Sequence, residues 1–558
     1  MSDTSGNGFT PRNELWFLPL GGSGEIGMNL NLYGCDGKWI IVDMGVSFGD
    51  DSVPGVDVVM PDPSFIEDRA EDLLGIVLTH AHEDHLGAVG YLWPWLKCPV
   101  YATPFAAAFL ETKLKEEELL GEVPVNVVPL GGRVDIGPFD IEFVSLTHSI
   151  PEPNGLAIRT PYGTVFHTGD WKLDPEPVVG EDANIKRLKE IGDEGVLAMV
   201  CDSTNVINKG RAGSEGAVRD SLSDLIASYR NGKVAVACFA SNLARVKTIV
   251  EAARDAGREV CLVGRSLWRV TEVARKVGYL DERESFLEAD EAANLPDNRV
   301  LYICTGSQGE PRAALNRIAY NSHPSVKFGK GDVVLFSSRV IPGNEKAIFR
   351  LQNQLVRLGC EIITDRDKFI HVSGHPAQDE MREMYSYIRP RIAVPVHGER
   401  RHLHEHEKLA LECGAETAII NENGGIVNLA PGEPEVIGHV STGRLVLDGD
   451  RIVPIDSEIL RDRKRMVQNG AAVITLVMDD RGRLLADPLV TTHGLFEPDE
   501  EEDESVLVEV VRGALGRLSP NDLRNDDTVA EAARLALRRT FHADQRRKPL
   551  TDVHLVRL

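Results

Sequence analysis

One stretch of six residues constrains this chain more than any other. Residues 80–85 read His-Ala-His-Glu-Asp-His and directly follow the apolar run Ile76–Thr79. Imidazole and carboxylate groups are ligands for zinc-type ions. In an extended segment residues i and i+2 point the same way, so His80 and His82 can reach one ion. If a helix begins after them, Asp84 and His85 turn toward a second ion. The stretch therefore predicts a site for two ions of zinc or manganese type.

Further candidate ligands follow other strand-like runs. Each stands alone at the end of its run: Asp43, His148, Asp170, Asp202 and His397. A single such residue is more often a cap or a turn residue, but strand ends and their loops are where sites assemble. The recurrence predicts that these side chains converge on the His80–His85 segment.

A glycine-rich segment imitates a dinucleotide-binding fingerprint. Gly22, Gly24 and Gly27 match the GxGxxG pattern, and Asp43 follows about 20 residues later, as the fingerprint requires. The fingerprint also needs a helix that opens at the glycines. Here an alternating run turns at Asp36-Gly37 and continues as a strand. The segment therefore predicts a tight loop and a hairpin, without nicotinamide binding.

Length and charge limit the class of protein. The 558 residues suggest about three to five domains. Lys and Arg number 61 against 86 Asp and Glu, a formal charge of −25, which excludes a histone-like protein covered by nucleic acid. A local basic groove remains compatible with that charge. Its candidates are Arg245, Lys247, Arg265, Arg269, Arg312, Arg317 and Arg339.

The expected cellular compartment is inferred from targeting signals and cysteine usage. We find no signal-peptide pattern, and no run of about 18 apolar residues that would predict a membrane span. The eight cysteines are scattered without a CxxC pair, which predicts buried, reduced thiols. We therefore expect a cytoplasmic protein that contacts no membrane.

The strand and helix rhythm changes along the chain. The first 150 residues are strand-rich, whereas from about Ser214 strands alternate with helices, which is typical of a parallel α/β unit. Beyond Asp450 we expect a helix, a hairpin near Gly482 and two further helices. The acidic run at 497–504 is expected to be a solvated loop.

In combination, these motifs resemble a known family. The His80–His85 segment, His148 and the His-Thr-Gly-Asp ending at Asp170 resemble the metallo-β-lactamase fold. Three further motifs resemble those of the β-CASP nucleases: Asp202, Ser373-Gly374-His375 and His397. Four segments are similar to the bacterial ribonuclease J family: Leu18–Asn29, Cys304–Pro311, His371–His375 and Pro395–Gly398. The resemblance runs from about residue 14 to the end. Trp171 and Pro376 depart from the family pattern, but neither is a ligand.

The resemblance implies an α/β architecture with an inserted domain. A metallo-β-lactamase αββα sandwich would comprise residues 1–213 and 365–450, interrupted by a β-CASP α/β domain at 214–364. A linker at 451–460 would lead to a C-terminal α/β domain at 461–558.

It also implies roles for individual residues. One divalent ion would bind His80, His82 and His148, the second Asp84, His85 and His397, with Asp170 bridging. The ions would be Zn²⁺, with Mn²⁺ or Mg²⁺ as alternatives. Asp43 and Asp202 would orient histidine ligands. Asp84, Asp170 and His375 would be catalytic: Asp84 would orient or deprotonate the attacking water, and His375 would stabilise the leaving oxygen. The substrate phosphate would contact Ser241, Asn242, His371, Val372, Ser373, Gly374 and His375.

The implied activity is hydrolysis of single-stranded RNA, 5′→3′ from a 5′-monophosphate end and with endonucleolytic cuts, in RNA maturation and decay. By resemblance to the family, we also expect a homodimer or homotetramer and degradosome-type protein partners.

Three alternatives stay open. A DNA-processing β-CASP nuclease would differ in its response to the 2′-OH. A small-molecule hydrolase would leave the insertion, His375 and the C-terminal domain without a role. A non-enzymatic scaffold would have no need of an intact ligand set.

Overall fold

The computed structural model describes residues 10–50, 52–496 and 501–558. The chain divides into two compact units. The first comprises residues up to Ser47 together with Met60–Thr442, and the second comprises Phe48–Val59 together with Gly443–Leu558.

The elements follow one another along the chain. Up to residue 202 the strands are β1 (Leu15–Gly21), β2 (Ser23–Gly24), β3 (Leu30–Cys35), β4 (Lys38–Met44), β5 (Ser47–Phe48), β6 (Val58–Pro61), β7 (Leu73–Val77), β8 (Val100–Ala102), β9 (Val125–Val127), β10 (Arg133–Ile136), β11 (Phe139–Ser145), β12 (Asn154–Thr160), β13 (Gly163–His167) and β14 (Ala198–Asp202). The helices of this part are α1 (Ser64–Glu67), α2 (Glu83–Leu86), α3 (Val89–Leu96), α4 (Pro104–Glu116) and α5 (Ile185–Glu194).

The next part alternates helices and strands. Its elements are α6 (Glu215–Ser228), β15 (Val234–Ala237), α7 (Leu243–Asp255), β16 (Glu259–Val263), α8 (Arg265–Lys276), α9 (Ala289–Ala292), β17 (Val300–Cys304), α10 (Ala314–Ala319), β18 (Val333–Phe336), α11 (Glu345–Leu358) and β19 (Glu361–Ile363). The chain then forms α12 (Gln378–Ile388), β20 (Ile392–Val396), β21 (Gly398–Glu399), α13 (Arg400–Glu412), β22 (Thr417–Ala418), β23 (Gly425–Ala430) and β24 (Glu435–His439). The remainder holds β25 (Arg444–Asp448), β26 (Arg451–Pro454), α14 (Glu458–Asn469), β27 (Ala471–Met478), β28 (Leu489–His493), α15 (Glu501–Leu515), α16 (Asp526–Gln545) and β29 (Leu550–Arg557).

Two mixed sheets form the centre of the first unit. One has the strand order β24-β23-β1-β3-β4-β7-β8-β9, and the other β10-β11-β12-β13-β14-β20-β22. Apolar side chains of both sheets, such as Phe17 and Phe143, form one buried core between them. Helices α5, α12 and α13 cover the outer face of the second sheet, and Phe65 of α1 packs on Trp39 of the first, with ring centroids 5.5 Å apart. This is the expected αββα sandwich.

The segment between β14 and α12 forms its own layer. Five parallel strands lie in the order β16-β17-β15-β18-β19 and carry helices on their faces. Their apolar residues form a separate core. The parallel α/β arrangement predicted from the strand–helix alternation is therefore confirmed.

Arg245 was one of the candidates for a basic groove, and its burial removes it from that group. Its side chain is fully buried and forms an ion pair with Glu215 at 3.0 Å. It also donates to the carbonyl oxygens of Ser337 and Ile370, each at 3.0 Å. Glu215 lies where the chain enters the inserted layer, and Ile370 lies just after the chain leaves it. Arg245 therefore links the segment that enters the inserted layer to the segment that leaves it. A buried guanidinium needs hydrogen-bond acceptors for its N–H groups, and both segments supply them.

The glycine-rich segment behaves as predicted. Strands β3 and β4 pair antiparallel across Asp36-Gly37, with Cys35 opposite Lys38. The segment from Gly22 to Gly27 contains the short strand β2 and no helix. It is a tight loop, so the dinucleotide fingerprint is a coincidence of spacing.

The second unit contains a hairpin, a three-stranded sheet and helices. Strands β25 and β26 pair antiparallel, and the sheet has the order β28-β27-β29, with α15 and α16 packed on one face. The predicted linker at 451–460 is occupied by β26 and the start of α14, and the C-terminal part of the unit begins at Gly443.

The acidic run at 497–504 differs in part from its prediction. Residues 497–500 lie outside the described residues, whereas α15 begins at Glu501. The loop expected over 501–504 is therefore wrong, because acidic residues are stabilised at a helix N-terminus as well as in a solvated loop.

Two absences were expected. Among the described residues, every helix is too short or too polar to cross a bilayer. All eight cysteines have free thiols, and seven of them are buried.

The buried ion pair yields a stability prediction. Arg245→Ala should lower the free energy of unfolding by about 3–5 kcal/mol, because Glu215 would remain buried without its partner. Urea denaturation measures the change. The control is Arg254→Ala on the same helix, whose side chain is 66% exposed and pairs with Glu284. Arg254→Ala should lower the free energy of unfolding by at most about 1 kcal/mol. Equal losses in the two variants would contradict the role of Arg245.

Candidate metal centre

The His80–His85 segment has the predicted local shape. It follows β7, and His82 is extended (φ −69°, ψ 151°) immediately before α2, which begins at Glu83. The extended part directs His80 and His82 to one point, and the helical turn directs Asp84 and His85 to another. The change from strand to helix within six residues is therefore what divides the ligands between two sites.

The first donor set joins three loops of the first unit, those after β7, β11 and β13. His80 Nε2 and His148 Nε2 each lie 3.1 Å from His82 Nδ1. Asp170 Oδ2 lies 3.7 Å from His148 Nε2 and 4.0 Å from His80 Nε2. All four potential ligand atoms fall within 4.8 Å of one another.

The second donor set shares Asp170 with the first. Asp170 Oδ2 lies 3.2 Å from His85 Nε2, and its other oxygen lies 3.5 Å from His397 Nδ1. Asp84 Oδ2 lies 3.2 Å from His397 Nε2 and 3.6 Å from His85 Nε2. Asp84, His85, Asp170 and His397 thus form a second group of the same compactness. Both groups contain the residues that the resemblance implies.

Hydrogen bonds outside the two sets fix the imidazole rings. His85 Nδ1 contacts Asp43 Oδ2 at 2.7 Å, and His148 Nδ1 contacts the Gly374 carbonyl at 2.6 Å. Thr79 Oγ1 donates to Asp43 Oδ2 at 2.8 Å, so it accepts from His80 Nδ1 at 2.9 Å. A ring that donates from Nδ1 keeps the Nε2 lone pair for a ligand. Asp43 therefore acts on both His80 and His85, as an orienting residue would.

His397 and His375 are held by the loop after β14. Thr204 Oγ1 lies 2.8 Å from His397 Nδ1 and 3.1 Å from the His397 carbonyl. Asp202 Oδ2 lies 2.8 Å from His375 Nδ1. His375 Nδ1 is also 3.9 Å from Asp170 Oδ2, so His375 stands directly beside the shared carboxylate.

Two residues of the centre have strained backbones. Asp43 and His397 adopt φ angles of 63° and 50°, in the left-handed region that favours glycine. Strain of this kind persists where surrounding structure enforces it, and it concentrates at functional sites.

The first set is suited to bind a cation through neutral rings. Burial, with a smaller contribution from neighbouring rings, lowers the pKa of His82 to about 4. The same causes hold the pKa values of His80 and His148 well below their ordinary value. Neutral imidazole is the form that coordinates a metal.

Charge is concentrated around the second set. Burial opposes ionisation of Asp170, but His397 and His85 outweigh it and hold the pKa of Asp170 well below its usual range. Burial likewise opposes charging of His397, whereas Asp170, Asp202 and Asp84 raise its pKa to about 10. Asp202 and Asp170 overcome burial to raise the pKa of His375. The centre is therefore an arrangement of carboxylates that requires positive charge beside it.

The donor chemistry fits divalent metal ions. Asp170 Oδ1 is buried and accepts no hydrogen bond, which is costly for a carboxylate oxygen unless a cation contacts it. Nitrogen and oxygen donors without thiolates suit zinc, manganese and similar ions.

The candidate phosphate-binding segment adjoins the centre. Gly374 is needed there, since a Cβ atom would lie 2.7 Å from His148 Cε1. Ser373 Oγ accepts from the His375 N–H at 3.1 Å. Val372 is buried, and its side chain has no polar group to offer a phosphate. His371 Nδ1 is buried without a hydrogen-bond partner.

The two predicted residues of the inserted layer differ in their availability. Asn242 caps α7 by accepting from the Arg245 N–H at 2.9 Å, and it donates to Glu215 at 3.3 Å. Its side chain is 4% exposed, so its geometry gives no support to a phosphate contact. Ser241, directly before it, is half-buried and remains a candidate.

Sequence reasoning missed several residues that support the centre. Thr79 and Thr204 each accept from a histidine ring, and the glycine-rich loop contacts the second set, with the Gly27 N–H donating to His397 Nε2 at 3.3 Å. Asn29 Nδ2 lies 3.2 Å from His85 Nε2. Thr79 adjoins the ligand cluster and Thr204 follows Asp202 by two residues, so proximity to the motifs was the available signal.

Comparison with known families covers most of the chain. Residues 31–200 match the metallo-beta-lactamase superfamily, and residues 231–355 match the family described as Ribonuclease J, beta-CASP domain. Residues 359–420 match the Zn-dependent metallo-hydrolase RNA specificity domain, and residues 458–558 match the Ribonuclease J C-terminal domain.

Curated relatives match over nearly the full length. Ribonuclease J of Sinorhizobium meliloti is 44% identical over 551 residues, which is 98% of each chain. Ribonuclease J 1 of Streptococcus pyogenes is 36% identical and covers 90% of this chain and 91% of its own. Ribonuclease J of Thermus thermophilus is 33% identical, with 93% and 91% covered.

A solved structure shares the fold. The crystal structure of a protein of unknown function from Enterococcus faecalis aligns with a TM-score of 0.53 at 16% identity, over 74% of this chain and all of the other. At this identity the likeness concerns the fold alone.

Removal of one ring tests the first donor set. His82→Ala should reduce the divalent metal bound per chain and abolish hydrolysis, because it leaves the set two imidazoles and the shared carboxylate. Elemental analysis of the purified protein measures the metal. The control is His404→Ala, a half-exposed histidine outside both sets. Full metal content and full activity in His82→Ala would exclude the assignment.

Proposed function

Since the chain belongs to the ribonuclease J family, we propose that it digests single-stranded RNA 5′→3′ from a 5′-monophosphate end, with endonucleolytic cleavage as a second activity. The chain is a metal-dependent ribonuclease of the metallo-β-lactamase superfamily. The polarity of digestion, the choice of 5′ end and the identity of the ions, which we propose to be two Zn²⁺, belong to the proposal.

One observation carries the mechanism: two donor sets share Asp170, and His375 lies beside them, held through its ring by Asp202. The first set would hold one ion and the second set the other. Divalent ions in such sites supply Lewis acidity, which activates water and polarises a phosphoryl oxygen. The chain's own residues then have to place the scissile phosphate, accept a proton from water and supply one to the leaving oxygen.

Asp84 is the carboxylate of the centre best placed for the attacking water. Its side chain is 31% exposed, whereas that of Asp170 is 3% exposed. Neighbouring His85 and His397 favour its ionised form against the effect of burial and hold its pKa below the ordinary value. An ionised, accessible carboxylate can accept a hydrogen bond from water and orient it for in-line attack.

His375 is suited to the leaving-group side. It donates from Nδ1 to Asp202, which leaves Nε2 for the substrate. Because Asp202 and Asp170 raise its pKa, its charged, proton-bearing form is favoured. An imidazolium there can stabilise the negative charge that develops on the ribose 3′-oxygen and can protonate it.

A 5′-monophosphate pocket is supported by the surroundings of His371. Burial, together with Arg245, Arg339 and Lys172, lowers the pKa of His371 to about 3, so its ring is neutral. Its buried Nδ1 has no hydrogen-bond partner, and these three cationic side chains lie close enough to act on the ring. An anion at this position would restore hydrogen bonding, and the backbone N–H groups of a Ser-Gly segment commonly bind phosphate.

Three finer expectations stay predictions that rest on the family: a cytoplasmic location, a homodimer or homotetramer, and degradosome-type partners. Action on ribosomal RNA maturation and messenger RNA decay belongs with them.

His375→Ala tests the leaving-group role. We expect metal content to stay at the wild-type level, because the ring lies outside both donor sets. We expect kcat to fall by about 10²–10⁴-fold, the usual contribution of a general acid. Single-turnover cleavage of 5′-labelled RNA measures the rate. A loss of bound metal instead would mean that His375 is a ligand.

The choice of substrate end tests the pocket. RNA with a 5′-monophosphate should be degraded to mononucleotides, and a 5′-triphosphate should reduce kcat/KM by roughly tenfold or more, since a pocket fitted to the smaller anion rejects the larger. The same sequence as DNA is the control for the sugar, because only RNA offers the 2′-OH. Equal rates on both RNA ends would argue against the pocket, and cleavage of DNA alone would favour the DNA-processing alternative.

A further inference from the structure

Four consecutive residues, Asp202 at the end of β14 and the three that follow it, have side chains that contact other segments of the first unit. Asp202 holds the ring of His375, and Thr204 holds the ring of His397. Ser203 Oγ lies 2.8 Å from Nδ1 of His406, a buried ring of α13. The fourth residue, Asn205, has no role in the chemistry described above, although its side chain is buried and points into the same loop.

Asn205 contacts the segment that carries His375. Its Nδ2 donates to Ser373 Oγ at 2.6 Å and to the His375 carbonyl at 3.0 Å. The orientation of the amide is determined by its neighbours. Its Oδ1 accepts from Asn208 Nδ2 at 2.9 Å, and a carbonyl oxygen such as that of His375 can only accept.

The contact closes a small turn around His375. Ser373 Oγ accepts both from Asn205 and from the His375 N–H at 3.1 Å. His375 is thus held at two places. Asp202 fixes the direction of the ring, and Asn205 fixes the backbone from which the ring projects. A ring held only at Nδ1 keeps the torsional freedom of its side chain and backbone. The Asn205 contact restricts that freedom at His375 itself, whereas His148 Nδ1 contacts the carbonyl of the neighbouring Gly374 at 2.6 Å.

We propose that Asn205 is a positioning residue that places His375 for catalysis by holding the turn from Ser373 to His375. The inference rests on the proposed role of His375 at the leaving oxygen. A displacement of about 1 Å at a reacting group can reduce a rate by about 100-fold, so loss of this contact should be visible in kcat although Asn205 contacts neither the donor sets nor the reacting atoms.

The test is a double-mutant cycle with Asn205→Asp and His375→Ala. Asn205→Asp keeps the shape of the side chain but replaces the donor with a carboxylate oxygen that faces the His375 carbonyl. With His375 present, kcat on 5′-monophosphate RNA should fall by about ten- to hundredfold. In the His375→Ala background, measured by long single-turnover reactions, the same substitution should change the rate by less than about twofold. Metal content should match the wild type throughout.

Asn184→Asp is the matched control. Asn184 caps α5 by accepting from the Arg187 N–H at 3.1 Å, a bond that a carboxylate can also accept. This variant should keep wild-type kcat and shows the effect of an amide-to-carboxylate change away from the loop. If Asn205→Asp fails to fold, Asn205→Ala enters the same cycle, since it removes the donor without adding a charge.

The outcomes separate the two claims. Wild-type kcat in Asn205→Asp overturns the inference. An equal fold-loss in both backgrounds also overturns it, because a general structural effect does not depend on the ring of His375. His375→Ala is measured first, and wild-type activity in that variant would remove the proposed function of His375 before Asn205 is considered.

Discussion

The carboxylate of Asp170 lies within 4.0 Å of imidazole nitrogens on two sides, His80 and His148 on one and His85 and His397 on the other. A buried carboxylate is stable only where positive charge or hydrogen-bond donors face it. Here the facing groups come from the ends of β7, β11 and β20, while Asp170 follows β13. The two sheets must therefore pack in one register for this charge to be compensated. The packing of the apolar core between the sheets thus determines which side chains face Asp170.

The inserted layer is coupled to that centre by a second buried charge pair. Arg245 binds Glu215 where the chain enters the layer and Ile370 where it leaves. His371 follows at once, and four residues later His375 reaches Asp202. The position of the segment from His371 to His375 is thus set from both ends, by the ion pair of the inserted layer and by Asp202 at the end of β14. Such an arrangement lets an insertion of about 150 residues, the size of one ordinary domain, place a single ring beside the donor sets.

The sequence predicted the parts of this arrangement that are local. The change from strand to helix at His80–His85 could be predicted from adjacent residues. The alternation of strands and helices after Ser214 predicts a parallel sheet. The glycine-rich loop was also identified as a turn from its flanking residues. His397 and Asp202 were predicted to belong to the site from strand ends and family motifs, because no local rule brings residues some 120 or 310 positions from the cluster into it.

Other features depend on tertiary context and could not be predicted. Arg245 looks like any solvated cation in the sequence, and only packing shows that it is buried. The residues 451–460 look like a linker because short strands carry weak signals. Thr204 and Asn205 belong to types that favour turns and caps, so nothing in their identity distinguishes a role beside the centre from an ordinary turn.

Three compact groups of donors occur in the part of the chain that the structure describes, and the geometry explains why they need not mean three ions. Asp170, Asp202, His375 and His397 are as close together as the two donor sets. However, both oxygens of Asp202 are already used: Oδ2 accepts from His375 Nδ1, and Oδ1 accepts from the Thr204 N–H at 2.8 Å. An oxygen that accepts a short hydrogen bond is a poorer ligand than Oδ1 of Asp170, which accepts no hydrogen bond. This hydrogen bonding favours Asp170 and His397 as members of the second donor set, and it agrees with the proposed role of His375, held by Asp202, in substrate chemistry. The third group therefore combines two residues of the second donor set, Asp170 and His397, with the pair Asp202 and His375.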